Sequence, residues 1–194
     1  MSSIILASES FLKNFIFEKS KIPYTKVPAE IDESVFDNFP VDERVAKLAE
    51  KKCQTVSAQF PDAIIISADT LTADASGAVY NKLSSGSDPF QAAMNLSGKT
   101  IDIFTGCTVY HVTTGYVSQL FKSTVTYSNF TEENLKRLIE DDNASIRSGA
   151  LGIFFDAPGF TLIEHIEGSY TGSFGLPMEF VYQQLEKINQ KDTE

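Results

Sequence analysis

Four polar residues stand where chemistry could be done: Glu33, Lys52, Asp69 and Lys82. Two carboxylates can hold one Mg²⁺, which takes one or two protein carboxylates and completes its shell with phosphate oxygens and water. Lysines supply positive charge for phosphates. One carboxylate could instead take a proton from water as a general base. As a set, the four suit hydrolysis of a phosphoric anhydride. Individually, each also has a plain structural role on spacing alone. Asp69 can cap a turn through its carboxylate. Glu33 is one acid among many in "EIDESVFDNFPVDE", Lys52 sits in "EKK" as a surface lysine would, and Lys82 resembles any loop lysine.

The N-terminal stretch "SSIILASESFLKNF" offers a second candidate. Ile4 to Leu6 is an apolar run, Ala7 to Ser10 a turn, and Phe11, Phe15 and Ile16 resume at helical spacing. A strand–turn–helix connection can present backbone N–H groups to a phosphate at the helix N-terminus. Such turns usually carry glycine; this one has none, and the start of its helix brings a single cation, Lys13. The residues alone leave two alternatives, a nucleotide site or a simple connection.

The elements that must position these residues follow from periodicity and turn chemistry. Tyr24 to Pro28 alternates as a short strand. "PVDERVAKLAEKKCQTVSAQF" has the apolar spacing of an amphipathic helix, with Asp42 as its expected N-cap. "PDAIIISADT" predicts a buried central strand with Asp69 at its end. Ligands of open α/β sheets bind beyond the carboxyl ends of strands, so this is a favourable place for an acid. "GAVYNK" predicts a short strand, and "SDPFQAAMNLSGK" a helix capped by Asp88 with Pro89 at N1 and Gly98 after the last turn. "TIDIFTGCTVYHVTTGYVSQLFKSTVTYS" predicts a long hairpin broken at "TTG". "TEENLKRLIED" predicts a helix capped by Thr131, "GFTLIEHIEG" a strand, and "LPMEFVYQQLEKI" a closing helix with Pro177 early; residues 187–194 form a polar tail. The pattern predicts an α/β or α+β domain with a long twisted mixed sheet, spanning residues 1–194 without a linker.

Composition narrows the class further. The chain has 194 residues, enough for one substantial core. A net charge of −10 argues against a nucleic-acid partner but not against a small anionic ligand met by a few converging cations. No apolar run approaches the ~18 residues of a membrane span, and the N-terminal run is too short for a signal peptide, so the expectation is a cytoplasmic protein without a membrane partner. Cys53 and Cys107 predict two buried, reduced thiols. His111 and His165 lie in strand-like runs without a close Cys pair or a recognisable nucleophile, which disfavours a structural zinc and a catalytic triad.

At this point the pieces fall into a known order. "LASESF", "EIDE", "KLAEKK", "PDAIIISADT", "NK", "LSGKT", "FTG", "SGALGI" and "IEGSYTGSFGLPM" follow one another as they do in the Maf family, which the chain resembles from Ile4 to about Leu185. The resemblance implies an α/β unit of two lobes around an elongated twisted mixed sheet with a central cleft, related in architecture to the inosine triphosphate pyrophosphatases. It implies hydrolysis of nucleoside triphosphates to the monophosphate and pyrophosphate with a divalent cation, Mg²⁺ or Mn²⁺, and a homodimer in many members.

By the same resemblance, Ser8 and Ser10 line the phosphates and Lys13 stands at a phosphate-binding arginine. Glu33 resembles the metal-associated acid, and Lys52 and Lys82 the phosphate-side lysines. Asp69 resembles the proton acceptor and can also coordinate the metal; Thr70 resembles the pyrimidine branch, and Arg147 replaces a lysine on the substrate side. The departures concern specificity. Where the family usually reads "SPRR", this chain reads Ser10-Phe11-Leu12-Lys13, and a base-reading glutamine is Phe154. Lys13 loses bidentate phosphate recognition. Leu12 and Phe154 make the nucleobase end more apolar, which implies an altered or broadened substrate such as a modified base. Two alternatives stand beside the pyrophosphatase: a nucleotide-binding regulator of the same fold with weak or no catalysis, and a phosphohydrolase acting at the γ-position.

Overall fold

A computed structural model describes residues 2–74, 79–80, 89–140 and 162–191. The chain runs β1 (Ile4–Leu6), α1 (Phe11–Lys19), β2 (Thr25–Lys26), a single 3₁₀ turn (Glu33–Phe36), α2 (Val41–Ser57), β3 (Ile64–Ala73) and β4 (Val79–Tyr80). It continues through α3 (Pro89–Met94), β5 (Thr100–His111), β6 (Gly115–Tyr127), α4 (Glu132–Glu140), β7 (Ile163–Glu167), a second 3₁₀ turn (Gly172–Phe174) and α5 (Met178–Lys191).

The strands form one mixed sheet in the order β2-β1-β3-β5-β6-β7, with β4 also on β3. β2, β1 and β3 are parallel, whereas β3, β5, β6 and β7 are antiparallel neighbours. The β5–β6 hairpin pairs without a register break from Thr100 opposite Thr126 to His111 opposite Gly115. Its Thr, Val, Ile, Tyr and Phe content suits a pleated surface.

Alternation along β3 decides which helix meets which side chain. Ile65, Ser67 and Asp69 face α2: the Ser67 hydroxyl donates to the Ala49 carbonyl at 2.6 Å, and the Cys53 thiol lies 3.7 Å from the Ile65 carbonyl oxygen. Ile64, Ile66 and Ala68 face the larger core with Ile16 and Phe17 of α1, Phe174, and Phe180, Val181 and Ile188 of α5. β3 is therefore covered on both faces, as its isoleucine run requires.

Three expectations are corrected. β3 does not end at Asp69, because β5 pairs with it from Ile65 to Ala73 and leaves the acid in mid-strand. Asp42 is not the N-cap of α2; Pro40 is, and Asp42 lies in the first turn, where its carboxylate favours the positive helix end. The tail expected from residue 187 is helical as far as Lys191, because Ile188 is 1% exposed and docks α5 on the core.

Cys53 and Cys107 are free thiols, both buried as expected. Burial pushes the Cys53 thiol up to about 12 and drives the Cys107 thiol up as well. A thiol reacts as thiolate. Native protein at pH 8 should show negligible reaction with a thiol reagent, and denatured protein should show two equivalents. Rapid labelling of either cysteine in folded protein would contradict this burial.

Candidate active site

The site is a notch in one edge of β3. On that edge β1 stops at Leu6, opposite Ile66, and β4 pairs with β3 only from Thr72 onward. The opposite edge is taken by β5 throughout. Asp69 and Thr70 lie between the two partners, so the crevice expected beyond a strand end forms at the end of β1, beside a longer neighbour. The chain leaves β1 through the serine turn and enters α1 at this same place. A cleft of about 400 Å³ results, lined by Ala7 to Lys13, Pro28, Ala29, Glu33, Lys52, Ala68 and Asp69.

On the acidic wall, Lys52 is clasped by two carboxylates. Its Nζ lies 2.6 Å from Asp69 Oδ1 and 2.7 Å from Glu33 Oε1. The Lys52 and Asp69 side chains are 12% and 7% exposed, and Glu33 is half exposed at 43%. α2 presents Lys52 toward β3, and the turn after Asp32 presents Glu33. The Asp32 carboxylate accepts from the Ser34 N–H at 3.0 Å and its hydroxyl at 2.6 Å, which fixes that turn and holds the Asp32 carboxyl below its usual range. Burial works to lower the Lys52 pKa, but the attraction and hydrogen bonds of Asp69 and Glu33 outweigh it and the net shift is upward. Lys52 stays an ammonium past its ordinary 10.5. The surface role open to Lys52 on spacing alone is therefore excluded.

The other wall is the serine turn. The Ser10 N–H donates to Ser8 Oγ at 3.1 Å, and Ser10 caps α1 without a side-chain bond to the helix. The first intrahelical bond runs from the Asn14 N–H to the Ser10 carbonyl, so the N–H groups of the first turn precede the helical ladder. Leu12 is 7% exposed and lines the cleft; Phe11 is 49% exposed at its lip.

Thr70 faces the other side of the sheet from Asp69, and both it and Lys13 border Gly175. Thr70 Oγ1 lies 3.1 Å from Thr105 Oγ1, whose hydroxyl donates to the Gly172 carbonyl at 2.9 Å. Gly175 closes the turn at φ 101°, and a Cβ there would lie 3.0 Å from Thr70 Oγ1 and 3.5 Å from Lys13 Nζ. The positive φ favours glycine here, and a Cβ would crowd Thr70 while only touching Lys13. Thr70 is absent from the cleft lining itself and faces this adjoining turn.

The structure thus brings together Ser8, Ser10, Leu12, Lys13, Glu33, Lys52 and Asp69, with Thr70 one residue beyond. Lys82, Arg147 and Phe154 lie outside the described residues. Among the described residues, no three Asp, Glu, His or Cys side chains converge as a metal site; the carboxylate residues that line the cleft are Glu9, Glu33 and Asp69. Residue typing alone missed Asn14, Gly106 and Gly175. A glycine inside a strand, as in "FTGCTV", does signal close backbone approach. A lone Asn among the apolar residues of "FLKNFIF" signals a buried polar contact.

The profile of the family described as Maf-like protein matches residues 3–188. A dTTP/UTP pyrophosphatase of Moorella thermoacetica is 32% identical over 186 residues, covering 95% of this chain and 94% of the relative. A dTTP/UTP pyrophosphatase of Bacillus cereus is 28% identical over 189 residues, covering 97% and 91%. Among solved structures, a nucleoside-triphosphatase (dITP/XTP pyrophosphatase) of Mycobacterium abscessus aligns with 66% of this chain and 75% of its own, at 11% identity and a TM-score of 0.37, too loose a likeness to carry functional weight.

Proposed function

Because this chain belongs to the Maf-like protein family, we propose that it is a nucleoside triphosphate pyrophosphatase working in the notch beside β3. One observation carries this: the buried Lys52–Asp69 pair, joined by Glu33, faces the serine turn across a single cleft. Acid and cation chemistry on one wall and helix N–H groups on the other match the two ends of a metal-dependent phosphoryl reaction. Curated relatives named for dTTP and UTP hydrolysis support a triphosphate substrate.

In this reaction the Asp69 carboxylate takes a proton from water, whose oxygen bonds to the α-phosphorus. The bond from that phosphorus to the oxygen it shares with the β-phosphorus breaks, and pyrophosphate leaves with the electron pair. Lys52 holds Asp69 in place through the 2.6 Å contact and adds positive charge near the phosphates. Ser8, Ser10 and Lys13 hold the phosphate chain, joined by Lys82 and Arg147. Glu33 and Asp69 fit a divalent cation such as Mg²⁺ or Mn²⁺: they are hard oxygen donors that already face one common positive charge, that of Lys52. When bound, the cation neutralises phosphate charge.

Leu12, buried in the cleft wall where a family arginine would stand, removes a charged group from substrate selection. Together with Phe154 it favours a less polar or modified base, with Thr70 retaining pyrimidine character. Pyrophosphate release from dTTP, UTP, CTP, purine and base-modified triphosphates, with Mg²⁺ and Mn²⁺, tests this. The expected products are monophosphate and pyrophosphate, with a modified nucleotide turned over at least as well as dTTP. Strict preference for dTTP and UTP would refute the altered specificity. Release of inorganic phosphate would instead indicate γ-hydrolysis, and tight binding without turnover would indicate a regulator.

A further inference from the structure

On the phosphate-side reading of the serine turn given above, we propose that Asn14 is the positioning residue that gives this turn its phosphate-facing shape, with Tyr24 orienting its carboxamide. Asn14 is 3% exposed. Its Nδ2 donates to the Ser10 carbonyl at 2.8 Å and to the Ser8 carbonyl at 3.1 Å. One side-chain amide therefore spends both of its protons on the main chain of the turn. The remaining Oδ1 lies 3.1 Å from the Tyr24 hydroxyl, which also lies 3.3 Å from Glu18 Oε1. Two carbonyls on one side and a hydroxyl on the other fix which end of the carboxamide is nitrogen.

The consequence follows from peptide geometry. The chain has no cis peptide among its described residues. In a trans peptide the N–H points opposite to the C=O. Drawing the Ser8 and Ser10 carbonyls toward Asn14 directs the N–H groups of Glu9 and Phe11 away from it. Ser8, Glu9, Ser10 and Phe11 line the cleft. The turn contains neither glycine nor proline to set its dihedrals. A buried side chain sets them instead.

Asn14→Leu, Asn14→Asp and Tyr24→Phe test the assignment. Asn14→Asp keeps the shape of the side chain and removes its donors but adds a negative charge, so Asn14→Leu, which removes the donors without charge, is read beside it. Binding of inorganic tripolyphosphate is measured by calorimetry, and KM and kcat with the best triphosphate, at a temperature where circular dichroism shows each variant folded. Both Asn14 variants should weaken tripolyphosphate binding and raise KM by about tenfold, with kcat nearly unchanged, because two hydrogen bonds shape a grip used equally in ground and transition states. Tyr24→Phe should shift both in the same direction by about two- to threefold.

A merely structural Asn14 would lower the unfolding midpoint and leave the binding of the folded protein unaltered. Unchanged Kd and KM in folded Asn14 variants would overturn the proposal; if neither folds, unchanged values in Tyr24→Phe would do so. A wild-type chain that binds tripolyphosphate but releases no pyrophosphate would refute the activity while the Kd comparison still decides Asn14. One that releases pyrophosphate but binds no tripolyphosphate would leave the activity standing and overturn the phosphate-gripping role of the turn and of Asn14.

Discussion

Asp69→Asn should lower pyrophosphate release by about 10²- to 10⁴-fold, the contribution of a positioned general base. Asparagine has nearly the same shape, so the loss isolates chemistry from packing. The carboxamide oxygen can still accept from Lys52, but it cannot take a proton from water or bind a divalent cation with full charge. Lys52 keeps Glu33 at 2.7 Å, so its ammonium is not stranded. The stability cost should stay at about 1–3 kcal/mol, the worth of one charge-assisted hydrogen bond. Thermal unfolding followed by circular dichroism should show a midpoint lowered by several degrees and one cooperative transition. Undiminished turnover by folded Asp69→Asn would remove Asp69 from the chemistry.

Gly106→Ala should damage both fold and site, although Gly106 is absent from the cleft lining. Gly106 is paired directly with Asp69 across the β3–β5 ladder, so a side chain there would point to the same face. That face is covered by α2 at very short range. A Cβ on Gly106 would lie 2.6 Å from the Val45 carbonyl carbon and 2.8 Å from Ala46 Cα. These are main-chain atoms and cannot swing aside as a flexible side chain would, so the helix must lift. The expected cost is about 1–3 kcal/mol, typical of overpacking. Lys52 lies about two helical turns beyond Val45 on the same helix. A lifted α2 therefore withdraws Lys52 from Asp69, and turnover should fall even at temperatures where the variant is folded. Denaturant unfolding and pyrophosphate release measure the two effects. Wild-type values for both would show that the helix does not depend on this glycine.

Much of the architecture was legible because its signals are local. The isoleucine run of β3, the threonine- and valine-rich hairpin and the apolar spacing of α2 and α5 each reflect burial periodicity, which the sequence records residue by residue. Thr131 was legible as a cap because capping joins residues three apart; its hydroxyl accepts from the Asn134 N–H at 3.2 Å. Asp42 misled because an acid in the first turn and an acid at the cap share the same composition signal. The end of β3 misled because a strand continues as far as its partner pairs with it, and that partner, β5, starts at Thr100.

The site divides along the same line. Residue types alone named Glu33, Lys52 and Asp69 and the chemistry such a set can do, and the family resemblance added roles for Ser8, Ser10 and Lys13. By itself the sequence determined the elements, the candidate acids and lysines, and membership in a family. Only the tertiary structure decided that Lys52 is buried between two carboxylates, that the notch exists because β1 is short where β3 is long, and that Asn14 and Gly106 stand behind it. The reason is the range of the forces. Periodicity and capping act over a few residues along the chain, whereas an ion pair between positions 52 and 69, or a helix seated on a glycine some sixty residues later, exists only once strands far apart in sequence have paired.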